Sequence, residues 1–346
     1  MVLRRPEPPK ARFYEVVEDK DAVQCSLCGH RCVIKEGKRG VCEVREYAAG
    51  NLRALAYGQL LALSVDPIEK KPLSHFQPGT KSLSIASAGC NLSCPWCQNY
   101  HLSEMVTRTG SVAGDYVTPE EVVKQALDRD CASISYTYSE PTIHYEYNRD
   151  TGTLARERGL KNVFVTNGLM TVETARDGAR SFLDGANVDL KAMKESTYKE
   201  LSKGPLPVVL DCIRTLHEEG VWVEVTTLVI PDLNDHEDEL RDAARFIRSV
   251  SADIPWHLSR YHPANRWTSA PETPVATLRR AREIGLEEGL HYVYTGNVWG
   301  DEGEHTNCPS CGKRVIERVG YRALPVAIRE GRCTHCSATI AGVDLP

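Results

Sequence analysis

The sequence has no long apolar run and no strong imbalance of charge. No apolar stretch approaches the roughly 18–20 residues that a bilayer span needs, and the N-terminus lacks the apolar core of a signal peptide. Basic and acidic residues number 42 and 47, for a net charge of −5, which gives no electrostatic indication of binding to nucleic acid or to a membrane surface. We therefore expect a cytoplasmic protein without a membrane span.

Cysteine, in contrast, is abundant and grouped. Of the thirteen cysteines, only Cys131 and Cys212 stand alone, and we expect both to be small buried side chains. The others form three groups: Cys25, Cys28, Cys32 and Cys42; Cys90, Cys94 and Cys97; and Cys308, Cys311, Cys333 and Cys336. Disulfides of a secreted protein are the alternative, but these spacings favour metal sites in a reducing compartment.

The central group lies directly after a short predicted strand, in the stretch GCNLSCPWCQN. Three residues separate Cys90 from Cys94, and two separate Cys94 from Cys97. This spacing brings three thiolates together in one tight loop. Soft thiolates are the ligands of iron–sulfur clusters, and three of them leave one iron of a [4Fe-4S] cube open to a small molecule. The alternatives fit less well, because ferredoxin runs use x2, x2, x3 spacing and zinc sites usually combine two distant cysteine pairs.

The two outer groups predict auxiliary metal sites. Cys25, Cys28, Cys32 and Cys42 lie too close in sequence to enclose a hydrophobic core, so a metal would have to stabilise this module. Zinc and a second [4Fe-4S] cluster both fit its ligand count. The tail pairs resemble a zinc ribbon or a rubredoxin site. We expect zinc there, although iron would use the same ligands.

Between these groups, predicted strands alternate with helices of ten to fifteen residues. This alternation is typical of βαβ units and a parallel sheet. We predict an α/β fold, a partial (β/α)6-type barrel over residues 79–300. An N-terminal extension with the Cys-rich module (1–78) precedes it, and a ribbon-like tail (301–346) follows it. An open doubly wound sheet is the rival. Residues 1–12, rich in proline and arginine, are expected to be disordered.

Polar side chains follow the predicted strands at their ends. They include Glu140, Asn167, Asp189, Lys191 and His262. The carboxyl ends of strands carry the functional groups in either rival sheet. We therefore expect these residues to share one site.

The cysteine loop resembles that of the radical S-adenosylmethionine (SAM) superfamily, and the strand-end motifs resemble its pyruvate formate-lyase activating enzyme branch. The resemblance implies that SAM binds the open iron and is cleaved reductively to a 5′-deoxyadenosyl radical, which abstracts hydrogen from a substrate. Cys90, Cys94 and Cys97 would then be the catalytic cluster ligands. The other residues implied near the cofactors are Trp96, Asn99, Ser139, Glu140, Asn167, Asp189, Lys191 and His262.

One motif departs from the superfamily pattern. Tyr138-Ser139-Glu140-Pro141 stands where the superfamily has Gly-Gly-Glu-Pro, whose backbone holds the SAM amino group. Both glycines are replaced, so the cavity must be shaped differently. Asp189-Leu190-Lys191 matches the branch's Asp-x-Lys, which implies contacts to the methionyl part of SAM, and Trp96 takes the place of the residue that shields the cluster.

Over nearly its whole length the chain resembles the radical SAM component of the AmmeMemoRadiSam system. The stretches that carry this resemblance include SVDPIEKKPLSHFQPG, SYTYSEPTIHYE, LVIPDLND, SRYHPANRW and YTGNVWG. It implies Memo-like and AMMECR1-like partner proteins and a flavodoxin- or ferredoxin-type electron donor. We expect the substrate to be a small molecule, lipid or peptide, and the alternative is a protein that receives a glycyl radical. A metal-binding scaffold without catalysis is the alternative from another class, and the intact three-cysteine loop argues against it.

Overall fold

Short antiparallel sheets form the N-terminal part of the chain in the computed structural model, which describes residues 6–18 and 20–346. The strands here are β1 (Tyr14–Val17), β2 (Ala22–Cys25), β3 (Val33–Lys35), β4 (Lys38–Arg39), β5 (Arg45–Ala48), β6 (Asn51–Ala54) and β7 (Gln59–Leu60). β1, β2 and β3 form one sheet, and β4, β5 and β6 form another. The expectation of disorder is wrong for residues 9–11, whose backbone bonds to that of Leu52 and Ala54; for residues 1–5 it lies outside the described residues.

The middle of the chain supplies the main sheet and the helices around it. Its elements are β8 (Ala62–Pro67), β9 (Lys81–Ala86), α1 (Tyr100–Ser103), α2 (Met105–Thr109), β10 (Asp115–Tyr116), α3 (Pro119–Asp128), β11 (Ser133–Tyr136), α4 (Tyr145–Glu157), β12 (Lys161–Thr166), α5 (Val172–Ser181), β13 (Gly185–Asp189), α6 (Glu195–Thr197), α7 (Leu206–Glu218), β14 (Trp222–Val229), α8 (Glu237–Val250), β15 (Trp256–Arg260), α9 (Val275–Glu287) and β16 (Val293–Gly296). The sequence signal for α3 is confirmed: Thr118 caps the helix by accepting from the Glu121 backbone, and Pro119 occupies the first turn.

Eight strands form the main sheet in the order β16-β15-β14-β13-β12-β11-β9-β8. β9 and β11 to β16 are parallel, and β8 runs antiparallel to β9. Each parallel strand lies beside its neighbour in the strand sequence, so the order never reverses as it does in a doubly wound sheet. The predicted partial barrel is confirmed. β8 lies within the predicted N-terminal extension and yet pairs with this sheet.

The irregular segment 68–76 packs against the sheet around the buried carboxylate of Glu224. Glu224 accepts hydrogen bonds from the backbone N–H groups of Ser74 (2.9 Å) and His75 (2.7 Å). It also accepts from Trp222 Nε1 (3.0 Å) and His257 Nε2 (2.6 Å). One buried carboxylate on β14 therefore joins this segment to β15.

The tail forms small sheets that pack on the last barrel strand. Its strands are β17 (Thr306–Asn307), β18 (Arg314–Val319), β19 (Arg322–Pro325), β20 (Ile328–Arg329) and β21 (Arg332–Cys333). Tyr292 and Tyr294 share a hydrophobic cluster with Val315 and Ile316. Arg318 Nη2 donates to the Ser74 carbonyl oxygen at 2.8 Å. Within the described part of the chain, no helix is both long and apolar enough to cross a bilayer.

Replacing Glu224 with leucine should loosen segment 68–76. The change leaves several buried donors without an acceptor, at a cost of about 2–5 kcal/mol. We expect a lower melting temperature and faster tryptic cleavage after Lys70. Glu157→Leu, a matched change at an exposed helical position, should have little effect on either quantity. Equal melting temperatures and equal rates of tryptic cleavage in the two variants would contradict the role of Glu224.

Candidate functional site

A cavity of about 430 Å³ lies at the carboxyl ends of the parallel strands. All three cysteines of the central loop line it, as do the residues that follow β11, β12 and β13. The predicted cofactor-binding residues that line it are Trp96, Asn99, Ser139, Glu140, Asn167, Asp189 and Lys191. The parallel strands thus bring together groups that lie up to about a hundred residues apart in sequence.

The cysteine loop begins at Gly89, which has a left-handed φ of 107°. A side chain there would be strained and would crowd Ile143 and the Cys42 carbonyl oxygen, which lie 3.1 and 3.3 Å from the position that a Cβ atom would take. Just beyond this turn, the Leu92 backbone N–H donates to Cys90 Sγ at 3.3 Å. Glycine therefore allows the loop to turn tightly against the N-terminal module.

Each thiol of the loop has a polar neighbour. Cys94 Sγ lies 3.4 Å from Ser202 Oγ, and Cys97 Sγ lies 3.3 Å from Ser103 Oγ. Asn167 Nδ2 lies 3.6 Å from Cys90 Sγ. Hydroxyl O–H and amide N–H groups can donate to thiolates and so stabilise their charge. Ser103 and Ser202 were not predicted, because nothing in the sequence relates either position to the cysteine spacing.

The carboxylate of Glu140 joins the loop after β11 to the end of β12. Its Oε1 accepts from the backbone N–H of Thr142 (3.0 Å), from Thr142 Oγ1 (2.5 Å) and from Thr166 Oγ1 (2.6 Å). Its Oε2 accepts from the backbone N–H of Asn167 at 2.8 Å. Burial raises the pKa of Glu140, although these hydrogen bonds oppose the rise. Glu140 therefore positions Asn167 against the cysteine loop.

Lys191 provides a cation beside the cysteines, and its side chain is 16% exposed. Its Nζ lies 2.9 Å from Asp189 Oδ2. Burial disfavours the ammonium form, but the charges of Asp189 and of Cys94, when ionised, outweigh burial and raise the pKa of Lys191. The site thus holds a positive charge close to Cys94.

Tyr138 adopts a backbone conformation that suits glycine. Its φ is 66°, which costs a non-glycine residue about 1 kcal/mol or more. Its hydroxyl donates to the Asp66 carboxylate, and the ammonium of Lys71 lies 4.7 Å from the centroid of its ring. These contacts offset the strain, so the chain keeps a left-handed turn before Ser139 although both glycines of the superfamily motif are replaced.

His262 lies apart from the other candidates. Its Nδ1 is 2.9 Å from Glu272 Oε1, its side chain is 41% exposed, and it does not line the cavity. Lys70 lines the cavity, and so does Tyr321 of the tail, which sequence reasoning did not assign to the site. No motif near Tyr321 indicated this, because its position depends on how the tail packs.

The two outer cysteine groups differ in their geometry. In the tail, the sulfur atoms of Cys308, Cys311, Cys333 and Cys336 all lie within 4.8 Å of one another. Among residues 6–18 and 20–346, this is the only group of three or more cysteine, histidine or acidic side chains that is so compact. This cluster could hold a metal ion. Cys25, Cys28, Cys32 and Cys42 instead line a separate, small cavity whose other walls are largely apolar.

Comparison with known proteins assigns the fold to a family. The family model described as the radical SAM superfamily matches residues 84–247, which include the cysteine loop and the motifs after β11, β12 and β13. An uncharacterized protein of Methanocaldococcus jannaschii is 42% identical over 96% of this chain and 98% of its own length. The chain belongs to the radical SAM superfamily. It is an enzyme.

More distant relatives agree with this assignment. A pyruvate formate-lyase-activating enzyme of Clostridium pasteurianum is 22% identical over 54% of this chain and 76% of its own length. The crystal structure of a radical SAM methyltransferase from Sphaerobacter thermophilus superposes with a TM-score of 0.51 and 18% identity, covering 69% of this chain and 71% of that one. The latter likeness concerns the fold alone.

Radical SAM enzymes use a [4Fe-4S] cluster and SAM, and the cavity fits this pair. Three cysteine ligands would leave one corner of a cube without a protein ligand, and Asp189 and Lys191 line the same cavity. Thr226 Oγ1, which belongs to a cavity-lining residue, is buried without a hydrogen-bond partner in the described part of the chain. A polar ligand such as SAM would satisfy an atom of this kind.

Replacing Glu140 with glutamine should disturb the site without removing a cysteine. In the variant, the side-chain N–H group would face an N–H or O–H group that donates to Glu140 in the unmodified chain. This would lower the free energy of unfolding by about 1–3 kcal/mol. We expect a lower melting temperature and weaker SAM binding, measured by equilibrium dialysis under anaerobic conditions. Glu173→Gln, on the exposed start of α5, is the matched control. Unchanged SAM affinity in Glu140→Gln would contradict the positioning role.

Replacing Cys308 with serine should remove the metal of the tail. Cys308 is buried within the compact group, and four thiolates are needed to complete a tetrahedral site. We expect a loss of about one metal ion per chain by elemental analysis. Cys131→Ser, at a buried cysteine outside the three groups, should keep the metal content of the unmodified chain. Full retention of metal in Cys308→Ser would exclude the tail site.

Proposed function

We propose that this enzyme cleaves SAM reductively and abstracts a hydrogen atom from a substrate that enters the cavity. The observation that carries the proposal is the meeting of Cys90, Cys94 and Cys97 with Asp189 and Lys191 around one space. Thiolates, a carboxylate and an ammonium group are the groups needed to hold a cluster and the charged methionyl part of SAM.

In this proposal the protein's side chains bind and orient the cofactors. Cys90, Cys94 and Cys97 hold the cluster, and the ammonium of Lys191 offsets negative charge beside Cys94. Asp189 accepts from the amino group of SAM. When bound, the cluster and SAM supply the one-electron cleavage that gives methionine and a 5′-deoxyadenosyl radical. Trp96, buried against Trp267 with ring centroids 6.0 Å apart, excludes water from the cluster.

The remaining candidates have supporting roles. Asn99, Ser139, Glu140 and Asn167 shape the cavity wall on which SAM lies. His262 would reach SAM only by leaving Glu272, so its contact with the cofactor depends on a rearrangement when SAM binds. In the tail, the compact sulfur group supports a structural zinc ion. We also propose the division of the chain at residues 78 and 300, with the barrel as the catalytic unit.

Two classes of substrate remain candidates. A small molecule, lipid or peptide is favoured by the cavity, which the tail residue Tyr321 helps to line. The alternative is a protein that receives a glycyl radical; the names of relatives such as the pyruvate formate-lyase-activating enzymes support it. In either case a flavodoxin- or ferredoxin-type protein would donate the electron. The stretches quoted above further support membership of the AmmeMemoRadiSam system, with Memo-like and AMMECR1-like partners.

The test is replacement of Cys90, Cys94 and Cys97 together with alanine. We expect this variant to lose about four irons per chain after anaerobic reconstitution and to form no 5′-deoxyadenosine from SAM with dithionite as reductant. The matched control replaces Cys131 and Cys212, the two cysteines outside the groups. Formation of 5′-deoxyadenosine by the triple variant, at the rate of the unmodified enzyme, would overturn the proposal.

A further inference from the structure

Four cysteines of the N-terminal module line one small space. Cys25, Cys28, Cys32 and Cys42 line it. The rest of its wall is largely apolar and includes Leu27, Ile34, Val41 and Ile143. Cys25 and Cys28 are buried, and the other two cysteines are partly buried. The module therefore presents four thiols to a space that shares no lining residue with the larger cavity.

The spacing of the sulfur atoms distinguishes the metals that such a site can hold. Tetrahedral zinc with Zn–S bonds of about 2.3 Å places its ligand sulfurs about 3.8 Å apart. The tail has this spacing, with 3.6 Å between Cys308 and Cys336 and 3.7 Å between Cys311 and Cys333. Within the described residues, no three of the N-terminal thiols form a group within 4.8 Å. A [4Fe-4S] cube binds each thiolate at a different iron, so its ligand sulfur atoms lie farther apart than those around a single zinc ion.

A buried cation faces the same space. Arg45 is 1% exposed and lines the cavity. Its Nη2 donates to Glu146 Oε1 (2.7 Å) and to the Arg12 carbonyl oxygen (2.6 Å). Its Nε and Nη1 have no hydrogen-bond partner among the described residues. Buried donors of this kind are rarely left unpaired, and they would be satisfied by the sulfur atoms of an anionic cluster.

The module lies directly against the central cysteine loop. His30 Nε2 donates to the carbonyl oxygen of Asn91 at 2.6 Å, and Asn91 follows Cys90. On the other side, the Cys42 carbonyl oxygen lies 3.3 Å from the Cβ position of Gly89, which precedes Cys90. The two cysteine groups are therefore neighbours in space. His30, two residues after Cys28, bonds to Asn91, and Cys42 itself lies against Gly89.

We infer that Cys25, Cys28, Cys32 and Cys42 hold a second [4Fe-4S] cluster, which relays one electron from a low-potential donor protein to the cluster of the central loop. The relay changes no bond: the second cluster gains one electron from a ferredoxin- or flavodoxin-type donor and returns to its oxidised state when it passes that electron on. Whether the module holds a [4Fe-4S] cluster does not depend on the proposed function. The relay, in contrast, rests on the proposed function.

The first experiment determines the metal. After anaerobic reconstitution, we expect about eight irons and one zinc per unmodified chain, and about four irons in the chain with Cys90, Cys94 and Cys97 replaced by alanine. The remaining iron should give the electron paramagnetic resonance signal of a reduced [4Fe-4S] cluster. About four irons and two zinc ions in the unmodified chain would overturn the inference, whatever the activity.

The second experiment tests the relay. In Cys32→Ser/Cys42→Ser, the rate of 5′-deoxyadenosine formation with reduced flavodoxin should fall at least tenfold further than the rate with dithionite, a small reductant that reaches the central cluster through the SAM cavity. Retention of the tail zinc shows that this variant is folded. An equal fall with both reductants would overturn the relay. No 5′-deoxyadenosine from the unmodified enzyme with dithionite would instead contradict the proposed function and leave the metal count decisive for the second cluster.

Discussion

The common direction of the seven parallel strands is the constraint on which the site depends. Every crossover returns the chain to the same end of the sheet, so the loops that follow β9, β11, β12 and β13 meet at one edge. Glu140 then joins the loop after β11 to the end of β12 through two hydrogen bonds, from Thr166 Oγ1 and from the Asn167 backbone N–H. The cavity is therefore a property of the whole sheet, and a change in any one of these loops affects the others.

Burial of thiolates also requires compensating charge. A thiolate in an apolar environment is costly unless a cation or a donor lies beside it. Lys191 meets this need beside Cys94 and Arg45 meets it in the N-terminal module. The two cations differ in their surroundings: Lys191 faces a cavity that can admit a small molecule, whereas Arg45 is enclosed with Glu146. The accessible cavity beside Lys191 suits a catalytic site. The buried surroundings of Arg45 suit the electron transfer that we propose for the N-terminal module.

Local signals predicted the elements well and individual contacts poorly. The alternation of strands and helices predicted the barrel because hydrophobic periodicity and caps such as Thr118 act within a few residues. The expected disorder failed at residues 9–11 because bonding to β6 is not local. His262 follows a strand, as expected, yet its ring pairs with Glu272 instead of lining the cavity. Which way a side chain turns beyond a strand end depends on its neighbours in space.

The amino-acid sequence is enough to identify three cysteine groups, their order along the chain, and polar residues after successive strands. These follow from residue type and spacing alone. Which groups meet depends on how remote segments pack: Ser202 approaches Cys94, and Tyr321 reaches the cavity from the tail. The same packing sets how far apart the sulfur atoms of each group lie. Those distances depend on backbone paths held by contacts between remote segments, such as that of His30 with Asn91, and spacing along a chain carries no information about them.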